Sequence, residues 1–135
     1  MKDMKRVGTA LTREEIEQLL KENQDHQCEG IGKDQVCVRI LSVANLPSLY
    51  GDFQVVAFCN SHDNKEHAAL IHGDILDQEG VPVRIHSECL TGDVLGSLRC
   101  DCHDQLVTAL RAIGKLRYGI LLYLRQEGRG IGFAN

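Results

Sequence analysis

The chain has 135 residues, 43% of them hydrophobic and 25% charged, with a formal net charge of −4. That length fits one domain with a modest core, and the composition is that of a soluble globular protein. The acid excess disfavours wrapping a nucleic acid, no apolar run approaches a membrane span, and the opening Met1-Lys-Asp-Met-Lys-Arg leads into a charged segment rather than a signal-peptide core.

Residues 1–35 read as an extension or docking arm. Thr12-Arg-Glu-Glu15 forms a capping box with Leu11 and Ile16 as its hydrophobic staple, and Ile16, Leu19 and Leu20 form the apolar stripe of a short helix. Residues 22–35 are polar, contain Gly30 and Gly32, and read as a linker. Residues 36–135 read as the main domain. Strands are expected over 36–43 and 52–59, joined by a turn at Leu46-Pro47. The polar loop 61–66 leads to strands at 68–72 and 81–86, divided by Gly73-Asp74 and Glu79-Gly80. Leu106, Ala109, Leu110, Ile113 and Leu116 recur at helical spacing, so a helix is expected from about 101 to 116. Residues 118–124 form an apolar strand of the buried kind. The sum is an α/β domain, a mixed sheet with packed helices.

Charge divides unevenly. Residues 1–83 hold 8 Lys/Arg against 14 Asp/Glu, whereas 84–135 hold 7 against 5, and six of those seven cations are arginines. Planar guanidinium groups suit a small polyanion such as a phosphate ester; a solvated arginine surface would carry the same composition. Six cysteines without an export signal read as reduced thiols in a cytoplasmic setting, with disulfides the weaker reading.

Three of those cysteines, Cys89, Cys100 and Cys102, stand at C-x10-C-x-C spacing between a strand end and a helix start. Structural zinc takes four protein ligands, and catalytic zinc keeps one position open. Three thiols therefore fit a zinc that activates water, although His103 could close the site as Cys3His. Three inert buried cysteines are the plainer alternative, against which the clustering argues. A helix start and Arg99 nearby are expected to lower the thiol pKa values. Cys28, Cys37 and Cys59 lack such clustering and read as isolated thiols. Arg84, His86 and Glu88 alternate, so they share a face if the strand persists. After the last strand, Gly128, Gly130 and Gly132 allow backbone to approach phosphate oxygens, with Arg129 to grip them; the spacing is neither a dinucleotide nor a P-loop fingerprint, and an ordinary turn fits equally.

Together these segments resemble the GTP cyclohydrolase II family, which opens riboflavin biosynthesis. Residues 84–102, Arg-Ile-His-Ser-Glu-Cys-Leu-Thr-Gly-Asp-Val-Leu-Gly-Ser-Leu-Arg-Cys-Asp-Cys, resemble its zinc motif, and Gly119-Ile-Leu-Leu-Tyr-Leu-Arg-Gln-Glu-Gly-Arg-Gly-Ile-Gly132 its next motif. Tyr50-Gly-Asp-Phe53 and His67-Ala-Ala-Leu70 resemble its opening strands. The resemblance implies Cys89, Cys100 and Cys102 as zinc ligands. It also implies a GTP site lined by Arg84, Ile85, His86, Ser87, Glu88, Gln105, Glu127, Gly128 and Arg129. The implied reaction opens the guanine imidazole ring with zinc-activated water, releases formate, and removes diphosphate with magnesium assisting. A homodimer is implied with it, whereas the expectation of no nucleic-acid and no membrane partner rests on the acid excess and the lack of a long apolar run. By the same resemblance an acid/base aspartate and a nucleophilic arginine lie beyond Asn135, so the domain is expected to be incomplete at its C-terminus. The alternative is a truncated, non-catalytic zinc and nucleotide-binding module of the same family.

Overall fold

Five strands form one mixed sheet in the order β1-β2-β3-β5-β4 in the computed structural model of the chain, which describes residues 10–24, 35–127 and 133–134. The elements run α1 (Arg13–Gln24), β1 (Val38–Ser48), β2 (Gly51–Asn60), β3 (His67–His72), β4 (Val83–Ser87), α2 (Leu90–Asp93), α3 (Cys102–Gly114) and β5 (Gly119–Leu124). Neighbouring strands are antiparallel except β4 and β5, which are parallel. A parallel pair needs a crossover, and α2 with α3 supplies it. The expected mixed α/β architecture is therefore the observed one.

Alternation along the strands divides the apolar residues between two faces. On one face Phe53, Ile113 and Leu121 are buried, with Leu70, Leu106, Ala109, Leu110 and Tyr123 packed around them. The helical spacing of Leu106, Ala109, Leu110 and Ile113 is what lets α3 cover that face. On the other face Val56, Ala69 and Ile71 are buried against Ile40, Val43, Phe58, Ile75, Ile120 and Leu122. Leu121 has no exposed surface; burying a leucine fully contributes roughly 1.5–3 kcal/mol.

Helix α1 begins with the expected capping box: the Thr12 N–H donates to Glu15 Oε2 at 2.8 Å, and the Glu15 N–H to Thr12 Oγ1 at 3.3 Å. The helix packs along β1. Buried Gln54 accepts from the Leu11 N–H at 2.9 Å and donates to the Leu11 carbonyl at 3.1 Å, and Asn23 Oδ1 accepts the Ile40 N–H at 2.9 Å.

Two expectations are corrected. Leu46 and Pro47 do not turn; they remain in β1 opposite Phe53 and Asp52, and the turn falls at Leu49-Tyr50. β1 is an edge strand, where a residue without an N–H is tolerated. That turn sits on the end of α3, where a Cβ at Gly114 would overlap the Tyr50 carbonyl. Second, Cys37 is disulfide-bonded rather than a free thiol. Its lack of clustering in the sequence did not imply an unpaired sulfur. Cys59, Cys89, Cys100 and Cys102 are free.

Candidate functional site

Because β4 and β5 are parallel, their carboxyl ends lie side by side, and the crevice beyond such ends is where open α/β sheets gather ligands. The chain leaving β4 carries Glu88, Cys89 and α2; the chain leaving β5 carries Arg125, Gln126 and Glu127. Four bonds tie the two exits together. The Glu88 N–H donates to the Leu124 carbonyl at 2.8 Å, and the Leu90 N–H to Glu127 Oε2 at 2.9 Å. Arg125 Nε pairs with Glu88 Oε2 at 3.0 Å, and Ser87 Oγ donates to Gln126 Oε1 at 3.5 Å.

Cys89 lies at the start of α2 in extended conformation, with φ −142° and ψ 94°. Its sulfur, with those of Cys100 and Cys102, forms a group whose ligand atoms all lie within 4.8 Å of one another. The Cys89 and Cys100 sulfurs are 3.9 Å apart. Tetrahedral thiolate ligands with zinc–sulfur bonds near 2.3 Å would stand about 3.8 Å apart, so the set fits a zinc ion. Gly92 completes the cradle: a Cβ there would lie 2.7 Å from the Cys100 sulfur and 2.8 Å from Cys102 Cβ. His103 does not join the group. Its Nδ1–H donates to the Asp93 carbonyl at 3.3 Å, so the closed Cys3His arrangement is not formed.

The thiols do not share one acidity. Hydrogen bonds from the Gly92 backbone, the Thr91 hydroxyl and Cys102 lower the Cys89 pKa. Cys102 is pushed up to about 12, because Cys100 and Cys89 hold its proton and their charge opposes another thiolate. The expected lowering is found at Cys89, through local hydrogen bonds rather than Arg99, and is reversed at Cys102.

Arg84 and Gln105 line one groove of about 450 Å³ with Asp101, Asp104, Thr108, Ala109 and Ala112. Gln105 Nε2 is held by Asp101 Oδ1 at 2.9 Å. His86 is buried, stacked on Tyr123 with ring centroids 5.6 Å apart, and follows the alternation that places it with Arg84. Ile85 alternates to the opposite face, where it is 57% exposed. The strand ends at Ser87, so Glu88 leaves the alternation and turns to Arg125. Gly128 and Arg129 lie outside the described residues.

Sequence reasoning passed over Asp93, Tyr123 and His67. Asp93 Oδ1 accepts from His86 Nε2 at 2.9 Å, and Oδ2 accepts the Tyr123 hydroxyl at 2.7 Å and the Cys89 N–H at 3.0 Å. Burial and the Asp93 carboxylate drive the Tyr123 pKa far above its ordinary value, so the hydroxyl stays a donor. His67 accepts the Arg125 N–H on Nδ1 at 2.9 Å and donates from Nε2 to Asp63 at 3.0 Å. The available signal for Asp93 was its place one helical turn after Cys89; for His67 there was none.

Among known proteins, the family model described as GTP cyclohydrolase II matches residues 38–135. The GTP cyclohydrolase-2 of Picrophilus torridus is 57% identical over 98 residues, covering 73% of this chain and 50% of that protein. The riboflavin biosynthesis protein RibBA of Chlamydia trachomatis is 55% identical over 96 residues, 70% of this chain and 23% of that protein. RibBA of Bacillus cytotoxicus is 58% identical over 90 residues, 67% and 23% respectively. The chain thus spans half the length of one relative and about a quarter of the others. Its sheet, its three gathered thiols and the matched motifs all fall in the same segment, and the chain belongs to the GTP cyclohydrolase II family.

Proposed function

We propose that this chain provides the zinc-dependent part of GTP hydrolysis at the head of riboflavin biosynthesis, yielding formate, diphosphate and a diaminopyrimidinone ribosylamine phosphate. The observation that carries the reading is the convergence of the Cys89, Cys100 and Cys102 sulfurs within 4.8 Å around Gly92, with a groove lined by Arg84 of β4 and Gln105 of α3.

In this reading Cys89, Cys100 and Cys102 hold zinc, which when bound lowers the pKa of water and supplies a nucleophile at neutral pH. Arg84, Gln105 and Ser87 bind the nucleotide, and Ile85 serves by backbone rather than side chain, because its side chain faces away. His86 keeps its Nε2–H on Asp93, so Nδ1 remains an acceptor for a substrate N–H. Glu88 and Glu127 orient the site through Arg125 and Leu90, and Gly128 and Arg129 approach the phosphates, where magnesium completes the charge balance. A cytoplasmic homodimer belongs to the same reading and rests on the family alone; analytical ultracentrifugation tests the assembly. Among the described residues no helix is long and apolar enough to cross a membrane.

The experiment incubates the 135-residue chain with GTP, zinc and magnesium and follows formate, diphosphate and pyrimidine product together. All three appearing in step supports the complete reaction. Formate or a ring-opened formamide without diphosphate confines the chain to ring opening. Bound zinc with no turnover sinks the catalytic reading in favour of a non-catalytic zinc and nucleotide module.

A further inference from the structure

The geometry points to Asp93 as the positioning residue of the metal centre, a buried carboxylate that fixes the Cys89 backbone and the His86 ring at once. The inference rests on the zinc reading above and adds to it a residue outside both the thiol set and the nucleotide contacts carried over from the family.

Asp93 touches every element that meets at the site. Its side chain is 2% exposed. Oδ2 takes the Cys89 N–H from the β4 exit and the Tyr123 hydroxyl from β5, while Oδ1 takes the His86 ring of β4. Its own N–H donates to the Cys89 carbonyl at 2.7 Å, and its carbonyl accepts from His103 on α3. Both peptide groups of Cys89 are therefore held by one residue, which sets the direction of the Cys89 sulfur. A buried carboxylate without compensating donors would be strongly disfavoured. Three converging donors, two of them from neighbouring strands, make it stable and immobile. The substitution Asp93→Asn is nearly isosteric, but the amide offers one acceptor oxygen and turns an NH2 group toward a donor. If the oxygen stays on the Cys89 N–H and the Tyr123 hydroxyl, His86 must switch tautomer to accept from the NH2; if it turns to His86, both of those donors lose their acceptor.

Partners one shell out from a metal ligand typically account for about 10–100-fold in affinity. The test measures zinc affinity of the full chain by competition with a chromophoric chelator, and cobalt–thiolate absorption as a second readout. Wild type is compared with Asp93→Asn and with Ile71→Val, a core change on the opposite sheet face that lowers stability without touching the site. The expected result is a loss of about 10–100-fold for Asp93→Asn with a weakened cobalt–thiolate band, and wild-type affinity for Ile71→Val. Equal affinity in wild type and Asp93→Asn would overturn the inference alone. A wild-type chain binding neither zinc nor cobalt would overturn the zinc reading and this inference with it. If Asp93→Asn does not fold, Tyr123→Phe removes only the hydroxyl bond to the oxygen shared with Cys89. A smaller loss in the same direction is then expected, and unchanged affinity would overturn the proposal.

Discussion

Gly92 shows how narrowly a single residue is constrained here. A methyl group at this position would stand 2.7 Å from the Cys100 sulfur, 2.8 Å from Cys102 Cβ and 3.3 Å from the Cys89 sulfur. The sulfurs cannot move outward without losing the spacing a metal needs. Gly92→Ala should therefore abolish stoichiometric zinc binding and cost about 1–3 kcal/mol from overpacking; zinc titration and thermal unfolding check the two effects separately. The thiols carry a second prediction for the metal-free chain. Cys89 is lowered and Cys102 is pushed up to about 12, so Cys89 should be alkylated before Cys102 as pH rises. The linkage has a definite sign. A thiol whose folded pKa is raised stabilises the fold least at high pH, so the Cys102 contribution is intact below about 8.5 and declines above it. Peptide mapping after brief iodoacetamide treatment reads the order, and simultaneous labelling of both would contradict it.

At the scale of elements, the loop from β2 to β3 acts on the exit of β5 through one buried histidine. His67 is 2% exposed, and Nδ1 must be unprotonated to accept the Arg125 N–H, which leaves Nε2–H for Asp63. Burial works to raise the Asp63 pKa, but the Lys65 N–H, the His67 ring and Asn60 outweigh it and hold the carboxyl below its ordinary value. A carboxylate lowered in the folded state stabilises it above the unfolded pKa of about 3.9, and that contribution is lost as pH falls through the folded value. Asp63→Asn should thus flatten the acid limb of the stability curve while shifting the neutral plateau little; an unchanged acid limb would count against the pair. A comparable contact anchors the residue that leads into helix α1. Gln54→Leu strands both the N–H and the carbonyl of Leu11, which costs about 1–3 kcal/mol. Limited proteolysis should then cut within α1 earlier than in wild type, with zinc affinity unaltered.

Over the whole molecule, what was legible in the sequence is what local chemistry and short period encode. The three thiols declared themselves by spacing, the capping box by its offset of three, and α3 by its apolar repeat. The bonds from Tyr123 to Asp93 and from Arg125 to His67 were not legible because they span 30 and 58 positions and form only through the β3-β5-β4 pairing. The Leu46-Pro47 turn failed for a related reason: an edge position in the sheet excused a proline that local chemistry read as a break. The same separation of local and long-range information predicts how the fold responds to metal removal. The two buried clusters, Phe53–Ile113–Leu121 and Val56–Ala69–Ile71, contain none of the three cysteines, and β5 pairs along its length with both β3 and β4. A zinc finger has no such core and unfolds without its ion. This sheet should persist when a chelator strips the site. Far-UV circular dichroism should be preserved and the unfolding transition should shift to lower temperature yet remain cooperative, because zinc bound only by the folded state adds a mass-action stabilisation that chelation withdraws. Loss of the sheet signal on chelation would mean instead that α2 and the Cys89 exit hold β4 against β5, placing the metal among the determinants of the fold.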